Sequence, residues 1–168
     1  YAQKMKRLQD DTFDMTLLFG PLYHSLDYES KLQALKEAKR VTKPGGKILV
    51  AYIMNEYGVL IYCFRERHIL EVKKKGMLTD DFHTLPGEES LYDYVRLEDI
   101  NRLKDDAGLE RLKIFSPDGP ANHMRYELNH LTEEEFQIFV EYQMAVCERP
   151  ELLGASAHIV DVLQKPLQ

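Results

Sequence analysis

The chain is 168 residues long, with 30% charged residues and 44% in the hydrophobic set, the proportions of one globular domain spanning residues 1–168. Its 22 Lys and Arg against 28 Asp and Glu leave a net charge of −6, which argues against a surface built to contact nucleic-acid phosphates. Cys63 and Cys147 stand far apart and no apolar leader opens the sequence, so no disulfide framework or secretion is indicated, and a reducing cytoplasm is the expected setting.

The polar opening begins with Tyr1 instead of Met, which suggests a piece of something longer. The first apolar run, Asp14 to Phe19, is stopped by Gly20-Pro21 and reads as a buried strand. From Asp27, a candidate N-cap, Leu32, Leu35, Ala38 and Val41 recur at helical spacing; Glu29, Lys31, Lys36, Glu37, Lys39 and Arg40 form the polar face. The helix must end before Pro44-Gly45-Gly46, a turn in which Gly45 suits positive φ, and Ile48 to Ile53 follows as a second buried strand. A right-handed crossover makes these two strands parallel. The apolar run from Ile48 to Phe64 is no membrane span, because Asn55, Glu56 and Gly58 sit at its centre.

Residues 55–96 read as an insertion or lid, with a helix from about Glu56 to Val72, a stop at Lys73-Lys74-Lys75-Gly76 and an irregular stretch from Phe82 to Tyr94. A helix from Glu98 to Ala107 ends at Gly108, a site for a left-handed cap, and leads to a strand from Leu109 to Phe115. Thr132 and Glu135 form a capping box, with Leu131 and Phe136 as the staple. The helix they start carries a wide apolar stripe suited to packing on the sheet and ends at Arg149-Pro150. Ala157 to Leu163 is a last strand.

The six histidines and two cysteines show no metal-ligand spacing, and neither a serine elbow nor a GxGxxG or Walker loop is present. What remains is Phe19-Gly20-Pro21-Leu22-Tyr23-His24 at the carboxyl end of the first strand, the edge of an α/β sheet where ligands sit. There, Gly20 would let a ligand approach the backbone and His24 would position a substrate or take its proton; the alternative is a plain surface turn. Tyr92 and Tyr94, with Phe82 and His83, either line a substrate pocket under the lid or pack against the domain. His158 reads as a core or edge residue.

The segments Thr12 to His24 and Glu37 to Val50, with Phe13-Asp14 opening a strand and Arg40-Val41-Thr42-Lys43-Pro44-Gly45-Gly46 joining helix to strand, resemble the second half of a class I S-adenosylmethionine-dependent methyltransferase. The tail from Glu148 to His158 is similar to the run that enters the family's last, antiparallel strand. The resemblance implies a partial Rossmann-like α/β sheet, mostly parallel with an antiparallel last strand and helices on its faces. It also implies methyl transfer from S-adenosylmethionine to a small-molecule acceptor. Phe19, Gly20, Pro21 and Leu22 would form part of the cofactor wall; Tyr23, Tyr92 and Tyr94 would face the substrate; His24 would be the catalytic base.

The family's glycine-rich loop and the acid after its second strand have no counterpart, so the chain is expected to be a C-terminal part that binds the cofactor weakly or not at all alone. The rival expectation is a truncated or degenerate, non-catalytic interaction module. Either way the strand from Asp14 to Phe19, apolar and lacking edge-protecting charges, is expected to associate with a second copy or with a missing N-terminal half. No nucleic-acid, membrane or metal partner is expected.

Overall fold

The structure, a computed structural model, describes residues 2–87 and 89–167. Strand β1, Phe13–Leu18, leads through the 19–26 loop to helix α1, Tyr28–Val41, whose N-cap Asp27 accepts a 2.8 Å hydrogen bond from the Ser30 amide. Leu32, Leu35 and Ala38 of α1 are buried as their spacing requires. Lys31, assigned above to the polar face, is buried as well, because its ammonium pairs with the Asp93 carboxylate.

Strand β2, Thr42–Ile53, begins six residues earlier than expected, directly after α1. The Pro-Gly-Gly element is a bulge inside the strand and not a turn before it: the pairing with β1 jumps from Phe13↔Thr42 to Met15↔Lys47. Gly45 supplies the positive φ of 74° that the excursion needs. At Gly46 a Cβ would lie 2.9 Å from the Lys43 carbonyl oxygen and 3.0 Å from that of Asp14, so only glycine lets the chain close back onto β1.

The long helix expected over Glu56 to Val72 is divided. Helix α2, Asn55–Gly58, continues as a π-helix over Val59–Arg65; Arg67, at φ 65°, then turns the chain before α3, Ile69–Lys74. Widening to the π form aligns the Glu66 amide with the Ile61 carbonyl at 2.9 Å and ends the regular ladder. Helix α4, Leu97–Asp106, closes at Gly108, φ 62°, and gives way to β3, Glu110–Phe115. After short helix α5, Arg125–Leu128, come α6, Glu133–Val146, and α7, Pro150–Leu153, in which Pro150 occupies the first turn and so opens a helix besides ending the one before. The capping box of Thr132 and Glu135 is present. Strand β4, His158–Gln164, completes the chain.

The sheet order is β1-β2-β4-β3. β1 and β2 are parallel, and β4 lies antiparallel to both β2 and β3, so β1, β2 and β3 run in one direction. Helices α1 and α4 cover one face, where Leu35, Ala38, Ile100 and Leu103 pack with Ile48, Val50, Ile159 and Leu163. On the other face Leu17, paired with Leu49, is 56% exposed and Met15 53%, and β1 is an edge strand. Helix α6 does not pack its apolar stripe on the sheet: Phe136, Ile138, Val140, Tyr142 and Met144 are exposed and only Gln143 is buried. It is held instead by polar bonds, Gln143 Nε2 to the Ser116 carbonyl at 2.9 Å and the Ser116 amide to the Cys147 carbonyl at 2.8 Å.

One buried ion pair locks β3 to β4. Arg111 Nε and Nη2 each donate to an oxygen of Asp161 at 2.7 Å, and Arg111 Nη1 reaches Asn101 of α4 at 2.6 Å. The Asp161 side chain is fully enclosed. Arg111→Met strands that carboxylate and is expected to cost about 3–5 kcal/mol in urea unfolding, whereas Arg111→Met with Asp161→Leu recovers most of the loss. A double variant no more stable than the single would show that the two do not act as a unit.

Candidate functional site

The carboxyl ends of β1 and β2 and the amino end of β4 meet along one rim. At the end of β1, Phe19 projects half exposed and Gly20 takes a φ of 131°. The loop then folds back: the Ser25 hydroxyl donates to the Pro21 carbonyl at 2.9 Å and the His24 amide to that of Gly20 at 3.3 Å. Leu22 is fully buried in the core, so the rim sees no part of its side chain. Tyr23 and His24 stand at the rim.

Tyr23, His24 and Tyr92 form an aromatic cluster: the His24 ring centroid lies 4.9 Å from that of Tyr23 and 5.2 Å from that of Tyr92. His24 Nδ1 lies 3.0 Å from the Leu91 carbonyl, so Nδ1 is the donor of that bond and, in the neutral ring, Nε2 is the free acceptor. The Asp93 amide donates to the Tyr23 carbonyl at 2.9 Å, and the buried Lys31–Asp93 pair fixes this crossing to α1. Burial pushes the Asp93 carboxyl up from its ordinary range, with the Lys31 ammonium acting against it. Leu91, Tyr92 and Asp93, distant in sequence from the loop, thus become its wall, because two backbone segments are tied by a charge that has one partner.

Residues 75–87 and 89–95 arch over the π-helix and enclose an open cavity of about 650 Å³, lined by Gly58, Cys63, Val72, Met77, Tyr92 and Tyr94 among others. Tyr94 lies flat over Gly58, where a Cβ would come within 3.0 Å of its ring, and burial raises its hydroxyl above the ordinary tyrosine value. Phe82 and His83 serve the arch itself. The Asn55 side chain clips it from below, donating to the Phe82 carbonyl at 3.0 Å and accepting from the Thr84 amide at 2.8 Å. His83 Nε2 bonds Asp99 at 2.8 Å, and Arg96 reaches Glu56 and Asp81, each at 2.7 Å.

The structure therefore brings Tyr23, His24 and Tyr92 together beside the exposed Phe19 and Gly20, with Tyr94 deeper in the adjoining cavity. Asn55, Arg96 and the Lys31–Asp93 pair were missed by sequence reasoning; only Asn55, a polar residue at the centre of a long apolar run, left a signal. At the other end of the rim His158 is half exposed and bonded to Asp118, so it is not a core residue. Among the described residues no group of three His, Cys, Asp or Glu side chains converges as a metal site, and no helix is long and apolar enough to cross a membrane.

Residues 1–50 match the family model described as a methyltransferase domain. No curated protein matches the sequence. Among solved structures, a SAM-dependent methyltransferase of Methanosarcina mazei shares 17% identity at a TM-score of 0.58, over 100% of this chain and 66% of its own. One of Thermotoga maritima, described as a possible histamine N-methyltransferase, shares 21% at 0.55, over 98% and 61%. Phosphoethanolamine N-methyltransferase 2 of Haemonchus contortus, solved with S-adenosyl-L-methionine, shares 15% at 0.51, over 99% and 36%. The chain spans less than two thirds of the length of two of these proteins and about two thirds of the other. Residues 1–50 are thus similar in sequence to a methyltransferase domain, and the chain shares the α/β fold of part of these SAM-dependent methyltransferase structures.

Proposed function

We propose that the protein to which this chain belongs transfers a methyl group from S-adenosylmethionine to a small-molecule acceptor. The observation that carries the reading is the aromatic rim: Tyr23, His24 and Tyr92 stand between the exposed end of β1 and the cavity under the arch. The half-exposed Phe19 face and the Gly20 backbone fit one wall of a cofactor site, while the sequence offers no glycine-rich loop for the cofactor's carboxylate. The bound cofactor supplies a methyl group on a sulfonium. The residues of this chain hold the acceptor beside it and exclude water, which is where most of the rate gain in such a displacement arises.

In this reading the acceptor occupies the cavity against Tyr92 and Tyr94, and His24 receives its proton at Nε2, the nitrogen left free by the Leu91 carbonyl. Pro21 holds the loop's direction, and Leu22 anchors it in the core.

A second reading, a non-catalytic interaction module, draws on the open β1 edge and on the exposed apolar side chains of α6. It shares one expectation with the first: the isolated chain self-associates through Phe13–Leu18 or pairs with a segment that completes the sheet. Light scattering reads this, with Leu17→Lys restoring a monomer; a wild-type monomer at high concentration contradicts it.

Two outcomes test the catalytic reading. The chain alone binds S-adenosylmethionine weakly or not at all in calorimetric titration, since it supplies one wall; a micromolar dissociation constant would contradict that assignment. In the longer protein, His24→Ala lowers turnover by about 10²–10⁴-fold with little change in cofactor affinity. A His24→Ala variant whose turnover is unchanged between about pH 6 and pH 9 returns His24 to a surface loop residue.

A further inference from the structure

The amino end of β4 carries a second built cluster on the same rim. His158 Nδ1 lies 2.6 Å from Asp118 Oδ2, and the His158 amide donates to Asp118 Oδ1 at 3.1 Å, so one carboxylate grips the residue twice. Asp118 is itself held by Asn122 Nδ2 at 2.9 Å, in a loop where the Ser116 hydroxyl accepts from the Gly119 amide at 2.7 Å. With its Nδ1 proton committed to Asp118, the His158 ring keeps a lone pair on Nε2, which makes no hydrogen bond among the described residues, and the side chain is 42% exposed.

Tyr57 roofs this corner. Its ring centroid lies 6.4 Å from that of His158 and 5.7 Å, edge on, from that of His123. His123 donates from Nε2 to the Ala155 carbonyl at 2.8 Å, which leaves its Nδ1 a second acceptor, and its own carbonyl is held by Arg65 at 2.6 Å. The corner thus presents a carboxylate-backed imidazole, a second imidazole acceptor and an aromatic ring; of the arginines close by, Arg65 donates to the His123 carbonyl and Arg125 Nη2 to Asn122 Oδ1 at 3.2 Å, so each spends a donor on an oxygen of the loop. Such a corner attracts a cation with N–H donors.

We infer that this corner is a subsite for an ammonium group, with Nε2 of His158 accepting an N–H and the Tyr57 ring covering the charge. The inference rests on the methyl-transfer reading and extends it to the acceptor class: a small amine. Since β2 separates β1 from β4, the corner lies two strand spacings, about 10 Å, along the rim from the end of β1. Tyr57 also adjoins Gly58, which lines the cavity, so an acceptor anchored here by its ammonium extends toward Tyr94 and Tyr92.

Protonation sets the sign of the pH dependence. The hydrogen bond that His158 donates to Asp118 raises the His158 pKa above its ordinary value, with burial acting against it. Below that pKa the imidazolium repels an ammonium; as pH rises through it, Nε2 becomes an acceptor and affinity increases.

The test is a titration of benzylammonium chloride into the isotope-labelled chain, followed by the His158, His123 and Tyr57 ring resonances. The expected result is saturable binding that shifts these rings, strengthens as pH rises through the raised His158 pKa and the ring loses its proton, and falls about ten- to a hundredfold in His158→Gln. Asp118→Asn should weaken binding and lower the His158 pKa. Benzyl alcohol, the uncharged counterpart, should not bind. Because Asp118 also braces the loop, His158→Gln, which keeps size and polarity, is the decisive variant. Equal binding by that variant, equal binding of benzyl alcohol, or shifts confined to other residues overturn the inference. Methyl transfer by the longer protein with no ammonium binding here sinks the subsite alone; ammonium binding here without any methyl transfer sinks the functional reading alone.

Discussion

The insertion of β4 between β2 and β3 is the constraint on which the site depends. Because β4 runs against both neighbours, its first residue lies beside the last of β2: His158 pairs with Ile53, and Val160 pairs with Ala51 on one side and Phe115 on the other. Residues from the last tenth of the chain are thereby carried to the edge where β1, β2 and β3 all end. Two further backbone bonds continue the register beyond the strands, from the Met54 amide to the Ala157 carbonyl at 3.0 Å and from the Asn55 amide to the Val95 carbonyl at 2.9 Å. A one-residue slip of β4 would turn Ile159 and Leu163 out of the core and Val160 and Val162 into it, which the burial of the first pair forbids.

Polar groups, and not apolar contact, hold the arch above this edge. Its apolar cluster is small, Val59, Cys63 and Val72 with a few half-buried neighbours. What fixes its position is the Asn55 clip, the paired bonds of Arg96 and the buried contact of Lys31 with Asp93. Such groups add little net stability, but each is costly to leave unpaired, so they select one arrangement of the backbone over its neighbours. The arrangement selected is the one that sets Tyr92 against Tyr23 and His24.

Periodicity and punctuation in the sequence suffice for α1, α4, α6 and the four strands. The Asp27 cap, the capping box at Thr132 and the glycine at position 108 act locally, and local chemistry is what a sequence displays. The Pro44-Gly45-Gly46 excursion was legible as a break but not as a bulge within β2, because a bulge is defined by the strand across from it. The division of the helix after Asn55 was hidden for a similar reason: the π-helical widening and the turn at Arg67 leave the composition of a helix unchanged. Helix α6 misled in the opposite sense, since an apolar stripe shows what a helix can bury and not what is there to bury it. At the site, Tyr23 and His24 were readable from their place after a strand and before a helix. The pairs Lys31–Asp93 and Asp118–His158, 62 and 40 residues apart, exist only once the sheet has formed.

The account stands on the claim that the rim at the carboxyl end of β1 faces the methyl donor. Mapping amide shifts of the isotope-labelled chain with millimolar S-adenosylmethionine tests it directly. The account predicts changes centred on Phe19 to His24 and on Tyr92. Changes centred on α6 or on the opposite end of the sheet would contradict it.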